Sequence, residues 1–284
     1  MYEYSYGYDN RGNRSSLNAI SSDTEPYSTS YQYDLNNRLV KQNKQLAGIT
    51  GEIEETKYQY DLNGNTISQA VSTYSNPLTA PKSAGLSILA SIGNVTSDKS
   101  SVSLNQYDLY NRLTGISQDA HEISYTYNPD GLRHSKTVDG NTTTHIWNGT
   151  QISAELNGSE LYDSGVITNK YIYGLARLYC ENYGNSYYYH YNPHGDVTAL
   201  TSATDGSLVK TYNYDAFGNS GTSYDSNFGI TENSAIVNPF RYCGEYFDME
   251  TGSVYLRARY YQPGGGRFGT EDDYWNTKNM ITYY

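Results

Sequence analysis

Seven short segments of this chain share the pattern Tyr-Asx-x-x-Gly/Asn, and nothing else in the sequence restricts the fold as much. They begin at Tyr8, Tyr33, Tyr60, Tyr107, Tyr127, Tyr191 and Tyr214 and close at Gly12, Asn37, Gly64, Asn111, Gly131, Gly195 and Gly218. Asp or Asn in first position suits a type I turn, because the Asx side chain bonds backbone groups ahead of it. Gly and Asn three residues later are the residues that tolerate the left-handed conformation closing a short hairpin. Pro129 and Pro193 stand second in the turn, where a fixed φ is favourable. Six of the seven copies carry another Tyr two residues earlier, at Tyr6, Tyr31, Tyr58, Tyr125, Tyr189 and Tyr212, and the exception is Asn105. A period of two puts both rings on one face of a strand. Segments such as Arg38-Leu39-Val40, Arg112-Leu113-Thr114 and Val197-Thr198-Ala199 read as the returning strands. The fold class is therefore all-β, an array of repeated hairpins.

Successive motif tyrosines lie 25, 27, 47, 20, 64 and 23 residues apart. The wide gaps leave room for one degenerate repeat near residue 85 and two near 150–170. Residues 41–56 and 72–103, rich in Ser, Thr and Asn, read as long loops or insertions, and Ser87–Ile92 has room for a turn or two of helix at most.

Aliphatic residues are scarce and the net charge is −11, a combination that often signals disorder. The 34 tyrosines argue otherwise. Burying one ring removes roughly 150–250 Å² from water, worth on the order of 4–6 kcal/mol before entropy. The longest apolar stretch, GLSILASIG, is far shorter than the ~20 residues of a membrane helix. The opening MYEYSYGYDN shows no signal-peptide pattern. Net acidity with scattered Lys and Arg speaks against nucleic acid as a partner. Cys180 and Cys243 are too few and too separated for a disulfide framework or a zinc site, and are expected as free thiols on strands.

No constellation of reactive residues stands out. His190 and His194 are four apart, but the alternation and Pro193 put them on a strand and its turn, without a third ligand nearby. Glu271, Asp272 and Asp273, with Asp248 and Glu250, could be paired carboxylates of a hydrolase. A solvated turn, or ion pairs with Arg257, Arg259 or Arg267, is the better reading. Neither cysteine has a neighbouring His or helix start to activate it. In Tyr255-Leu-Arg-Ala-Arg-Tyr-Tyr261, alternation along one strand would place Tyr255, Arg257, Arg259 and Tyr261 on one face, where Arg and Tyr can stack and where buried Arg would need carboxylate partners. Gly264–Gly266 lacks the Lys and helix of a phosphate cradle and reads as a turn. The expected catalytic, cofactor-binding and metal residues are accordingly none. Rows of tyrosine could also stack on sugar rings, which keeps a carbohydrate-binding surface module as the alternative.

The hairpin units resemble the YD repeats of the Rhs family, which includes bacterial wall-associated proteins, polymorphic toxin shells and teneurins. Residues 187–219 resemble the start of the Rhs repeat-associated core, and residues 238–275 resemble its hallmark, with YLRARYY and GRF-x-x-ED in order. The resemblance implies a hairpin array over 1–186 with loop insertions, a core over 187–276 and a truncated tail over 277–284. It implies hairpins wound in a spiral shell, here an incomplete segment, that in longer relatives encloses and presents a C-terminal toxin in contact-dependent competition. The implied location is secreted or cell-surface. The implied partners are the rest of the shell and the enclosed toxin, with cell-surface glycans under the alternative and no cofactor. The family's self-cleavage motif lies beyond Tyr284, and Glu271-Asp272-Asp273 match its upstream acidic residues. Neither cleavage nor toxicity carries over, so the chain is not expected to be an enzyme.

Overall fold

The structure, a computed structural model, describes residues 2–21, 26–46, 52–74, 99–158, 166–219 and 236–272. Its contacts divide into two compact units, one formed by the described residues of 1–106 with 117–120 and 271–272, and the other by Tyr107–Ile116 with the described residues of 121–270. The 186/187 boundary implied by the family resemblance falls inside a strand of the second unit, Asn185–Tyr191. Among the described residues the only helical piece is a single 3-10 turn, Tyr242–Gly244.

In the first unit β1 (Tyr2–Tyr8), β2 (Arg14–Ser21), β3 (Tyr27–Tyr33), β4 (Leu39–Leu46), β5 (Ile53–Tyr60), β6 (Thr66–Tyr74) and β7 (Lys99–Tyr107) pair antiparallel, each with the next. Strand β8 (Leu113–Gln118) follows. In the second unit the same meander runs through β9 (His121–Tyr127), β10 (Arg133–Val138), β11 (Asn141–Asn148), β12 (Gln151–Asn157), β13 (Val166–Tyr173), β14 (Arg177–Asn182), β15 (Asn185–Tyr191), β16 (Val197–Ser202) and β17 (Leu208–Thr211). A separate four-stranded sheet closes the described chain: β18 (Tyr246–Asp248), β19 (Ser253–Tyr255), β20 (Tyr260–Gln262) and β21 (Arg267–Phe268).

All seven motif turns have one geometry. The backbone N–H of the last turn residue donates to the carbonyl of the Asx, as Gly12 does to Asp9 and Asn37 to Asp34, and φ at that last residue is positive, from 57° at Asn111 to 92° at Gly195. The Asx side chain caps the turn: Oδ1 of Asp61 accepts from the amides of Asn63 and Asn65 at 2.9 and 2.8 Å. The residue after the Gly/Asn position, which the motif did not include, completes the cap. Asn13, Arg38, Asn65, Arg112 and Asn219 each donate a side-chain N–H to the other oxygen of their Asp, at 2.6–3.0 Å. In the copy at Tyr191 the two chemistries are exchanged, and Asn192 donates to Asp196 at 2.8 Å.

A ladder stitches each repeat to the one before it. The motif Tyr donates its hydroxyl to a backbone carbonyl at the start of the previous returning strand: Tyr33 to Arg14, Tyr60 to Leu39, Tyr127 to Leu113, Tyr191 to Arg177 and Tyr214 to Val197, all at 2.6–2.9 Å. The hydroxyls of these motif tyrosines thus receive backbone acceptors. Trp147 donates in the same way to Arg133, and Tyr173 to Ile152. They mark the two degenerate repeats expected near 150–170; the one expected near 85, and Ser87–Ile92, lie outside the described residues. Asn105, the break in the Tyr pattern, supplies the rung to Thr66 with its own amide, at 2.9 Å.

The paired tyrosines share a face as expected, and the ring of Tyr189 stacks 6.2 Å from that of Tyr191. The first of each pair is the deeper: Tyr31, Tyr58, Tyr125 and Tyr189 are buried. The expectation of loops over 41–56 is corrected, because Leu39–Leu46 and Ile53–Tyr60 are paired strands. Their polar residues hid the strand period, and cross-strand pairs such as Lys41 with Glu55 hold them together. Strands also run to Tyr74 and from Lys99, so only 75–98 of the second expected loop remains, outside the described residues.

Two turn glycines predict different costs. Gly131 has φ +79° and open space where a methyl group would stand, so Gly131→Ala should cost about 1–2 kcal/mol for the left-handed backbone alone. At Gly218, φ +84°, a Cβ would overlap the ring of Tyr242. Gly218→Ala should add about 1–3 kcal/mol of overpacking to the same backbone cost. Equal losses in urea unfolding would contradict this packing.

Candidate functional site

The most concentrated chemistry lies where β18–β21 meet the returning strand β10. Arg133 opens β10 and is completely buried. Its Nη1 donates to Oδ2 of Asp248 on β18 at 2.6 Å, and its backbone N–H donates to the hydroxyl of Tyr255 at 2.7 Å. The guanidinium lies 4.3, 4.8 and 5.2 Å from the ring centres of Tyr255, Tyr246 and Tyr125. Its Nε and Nη2 have no hydrogen-bond acceptor, and the aromatic faces stabilise them instead. Lys136, three residues further along β10 and past a register shift between Arg133 and Ser135, reaches Oδ1 of Asp248 at 3.0 Å and Glu250 at 2.9 Å. Burial pushes the Asp248 carboxyl up, but the charges of Arg133 and Lys136 outweigh it and hold the group below the usual carboxylate range.

A second buried carboxylate sits beside the first. Glu155 on β12 accepts from the hydroxyls of Tyr171 and Tyr246 at 2.6 and 2.7 Å and from the amide of Asn169 at 2.6 Å. His145 on β11 lies 3.6 Å from Glu155 and shares its Nδ1 with the carbonyl of Arg133 at 3.3 Å. Burial, aided by the charges of Arg133 and Lys136, drives the His145 pKa well below its ordinary value and keeps the ring neutral.

That burial predicts a pH dependence. The unfolded chain binds a proton at His145 near pH 6.5, and the folded chain excludes it. Stability from this group is therefore complete above about pH 6.5 and falls by about 1.4 kcal/mol per pH unit as the pH drops below it. Urea unfolding between pH 7 and 5 should show this slope, and His145→Gln should flatten it. An unchanged slope in the variant would mean that another group controls it.

Chemically this network fastens; it offers nothing to a substrate. Both carboxylates are fully buried with every oxygen engaged, whereas a hydrolytic pair must face a cleft. The expected partners of Asp248 and Glu250 are corrected accordingly. They bind Arg133 and Lys136, more than a hundred residues earlier, while Arg257 takes Glu245 through both oxygens at 2.5 and 3.0 Å. Glu271 and Asp272 lie at the end of the described chain, and Asp273 lies outside it. The single strand expected over Tyr255–Tyr261 is corrected too: it is a tight hairpin, with Tyr255 opposite Tyr260 and Arg257 at φ +64° in the turn. The hairpin sets those two rings 5.2 Å apart against Arg133. Arg259 stacks on Phe268 at 3.8 Å, and Gly264–Gly266 belongs to the turn between β20 and β21.

The histidines and cysteines also sort differently from the sequence reading. His190 bonds Thr201 at 2.9 Å, away from His194. Both cysteines are free thiols; Cys180 is on β14 as expected, but Cys243 sits in the 3-10 turn. Cys243 does have a neighbouring histidine, because its Sγ lies 4.0 Å from Nδ1 of His194, which in turn is 3.0 Å from Oδ1 of Asp196. Close by, Trp147, Tyr173, Tyr191, Arg177, Cys243, Glu245 and Arg257 line a cavity of about 470 Å³. The one signal for the Asp248 network was Arg133 itself, a charge six residues after a motif Tyr where three copies carry Leu39, Leu113 or Val197, although Arg14 holds the same position in the first copy.

Consecutive antiparallel hairpins, closed by one Asx turn and joined by a hydroxyl-to-carbonyl ladder, define a tyrosine-rich β-hairpin repeat protein. No protein-family model matches the chain. Over 183 residues it is 36% identical to the tRNA3(Ser)-specific nuclease WapA of Bacillus spizizenii, covering 62% of this chain and 7% of that protein. It is 34% identical over 182 residues to the tRNA nuclease WapA of Bacillus subtilis, with the same coverage. Among solved structures, a TcdB2-TccC3-Cdc42 crystal structure superposes on 100% of this chain and 16% of that one, with a TM-score of 0.48 and 16% identity. The repeats and these sequence relatives support an Rhs/YD-repeat family for the chain. It spans about 7% of the length of the curated relatives it matches.

Proposed function

We propose that this chain is a structural segment of an Rhs/YD-repeat shell, which in a longer protein encloses and presents a toxic segment at or outside the cell surface, and that it is not itself an enzyme. The observation that carries this reading is the burial of Asp248 between Arg133 and Lys136. This fully buried ion pair fastens the last described sheet. The ladder supports the same reading, since each repeat takes its acceptor from the backbone of the previous one, a rule that extends to any number of repeats. The matched relatives are named for tRNA cleavage, and under this proposal that activity belongs to parts of them outside the matched strip.

The test is to incubate the pure chain with total tRNA and, separately, alone for days. Intact tRNA and a single mass near 31.9 kDa are expected. Cleavage of tRNA in proportion to the intact chain, or a defined shorter product abolished by Asp272→Asn, would overturn the proposal. Thermal melting with a panel of cell-wall polysaccharides adds a further arm. The carbohydrate-binding alternative would rest on the aromatic-lined cavity, and a Tm raised several degrees by one glycan would favour it over the shell.

A further inference from the structure

We infer that His194, Asp196 and Cys243 form a three-ligand site for a divalent cation of the zinc class. Their ligand atoms all lie within 4.8 Å of one another. Nδ1 of His194 is 3.0 Å from Oδ1 of Asp196 and 4.0 Å from Sγ of Cys243. In a tetrahedral zinc site with bonds of about 2.0–2.3 Å, ligand atoms stand roughly 3.3–3.6 Å apart. The site closes on an ion with small movements of a half-exposed imidazole and a thiol. Thiolate, imidazole and carboxylate together match zinc-class cations and are unlike the all-oxygen sites of calcium or magnesium.

The repeat pattern supplies an independent observation. Five copies place a carboxylate first in the turn, at Asp9, Asp34, Asp61, Asp108 and Asp215, and the fifth residue carries the N–H donor in each. Only the copy at Tyr191 reverses them, with Asn192 first and Asp196 fifth. The turn cap is unchanged by the exchange, because the same side-chain bond forms with donor and acceptor swapped. What changes is the position of the charge, which moves beside Cys243. Asp196 is held there by Nδ2 of Asn192 and by the backbone N–H of Cys243, both at 2.8 Å. Such bonds orient a ligand for a metal. Asn192, Gly195 and Cys243 also line the 470 Å³ cavity, leaving room for water as a fourth ligand.

The rival chemistry for these residues is a nucleophilic triad, and the geometry is wrong for it. A relaying histidine uses one nitrogen for the nucleophile and the other for the carboxylate, whereas Nδ1 of His194 faces both.

The experiment titrates Co²⁺ into the reduced, metal-stripped full chain and follows its absorption. One equivalent should produce thiolate-to-cobalt charge transfer with tetrahedral d–d bands, and Zn²⁺ should abolish both. Cys243→Ser should remove the charge-transfer band, while Cys180→Ser should keep it. His194→Gln should weaken binding by at least about tenfold. This exposed turn position holds Arg11, Asn36, Asn63, Tyr110, Asp130 or Phe217 in the other copies, so the variant should fold. Absence of a charge-transfer band, its survival in Cys243→Ser, or unchanged affinity in His194→Gln would overturn the assignment.

Discussion

Raising the pH through 10 to 11 should unfold this chain abruptly, well before most of its phenols titrate in place. Nine of the ten buried tyrosines, Tyr31, Tyr58, Tyr125, Tyr171, Tyr189, Tyr212, Tyr246, Tyr255 and Tyr260, are deeply enclosed and have hydroxyls whose pKa is raised. Burial is the leading cause in each, carrying Tyr31 and Tyr212 to about 12. In the unfolded chain the same groups lose protons near pH 10. A raised folded pKa therefore contributes stability that is complete below pH 10 and lost as the pH climbs toward the folded value. Each group costs about 1.4 kcal/mol per pH unit in that window. Even half of the nine acting together would remove on the order of 6 kcal/mol per unit, comparable with the 5–15 kcal/mol stability of an ordinary domain. Tyrosinate absorbance and circular dichroism should thus change together in one steep transition. Gradual ionisation of all 34 tyrosines from pH 10 with β structure retained would show that the rings are not the core.

The next largest effect is expected at the buried ion pair. Asp248→Ala leaves Arg133 and Lys136 facing each other without their carboxylate, and breaking a buried pair from one side costs about 3–5 kcal/mol. Arg257→Ala, which removes the half-exposed pair with Glu245, should cost about 1 kcal/mol or less. Replacing both members, as in Arg133→Met with Asp248→Leu, should recover most of the loss, because an apolar pair avoids the desolvation of two charges. Urea unfolding of the three variants checks the series. If Asp248→Ala proves as mild as Arg257→Ala, the network does not fasten the C-terminal sheet, and the principal support for a structural role falls away.

The local chemistry was readable because each repeat solves its turn with residues adjacent in sequence. Asp61 caps amides two and four residues ahead, and Gly64 supplies the positive φ, so five residues suffice to specify the turn. The opposite hairpin ends are equally local: Asp139-Gly140 has positive φ at both residues, the signature of a two-residue turn. Strands β4 and β5 escaped detection because their stability comes from cross-strand pairs such as Lys41 with Glu55, which no period in either strand reveals. The segment Tyr255–Tyr261 alternates well enough for one strand, yet it turns at Arg257, whose strained backbone is held by Glu245 from an earlier segment.

By itself, then, the sequence determined the hairpin, its turn geometry, the pairing of tyrosines on one face and the resemblance to the Rhs/YD-repeat family. These follow from interactions spanning a handful of residues, repeated often enough to be unmistakable. Only the tertiary structure decided where the hydroxyls donate and which cation meets Asp248. It alone brought Cys243 beside His194 and Asp196. Each of these contacts joins residues from about 14 to 115 positions apart, and long-range partners depend on which strands the whole chain sets side by side, a choice that no local pattern encodes.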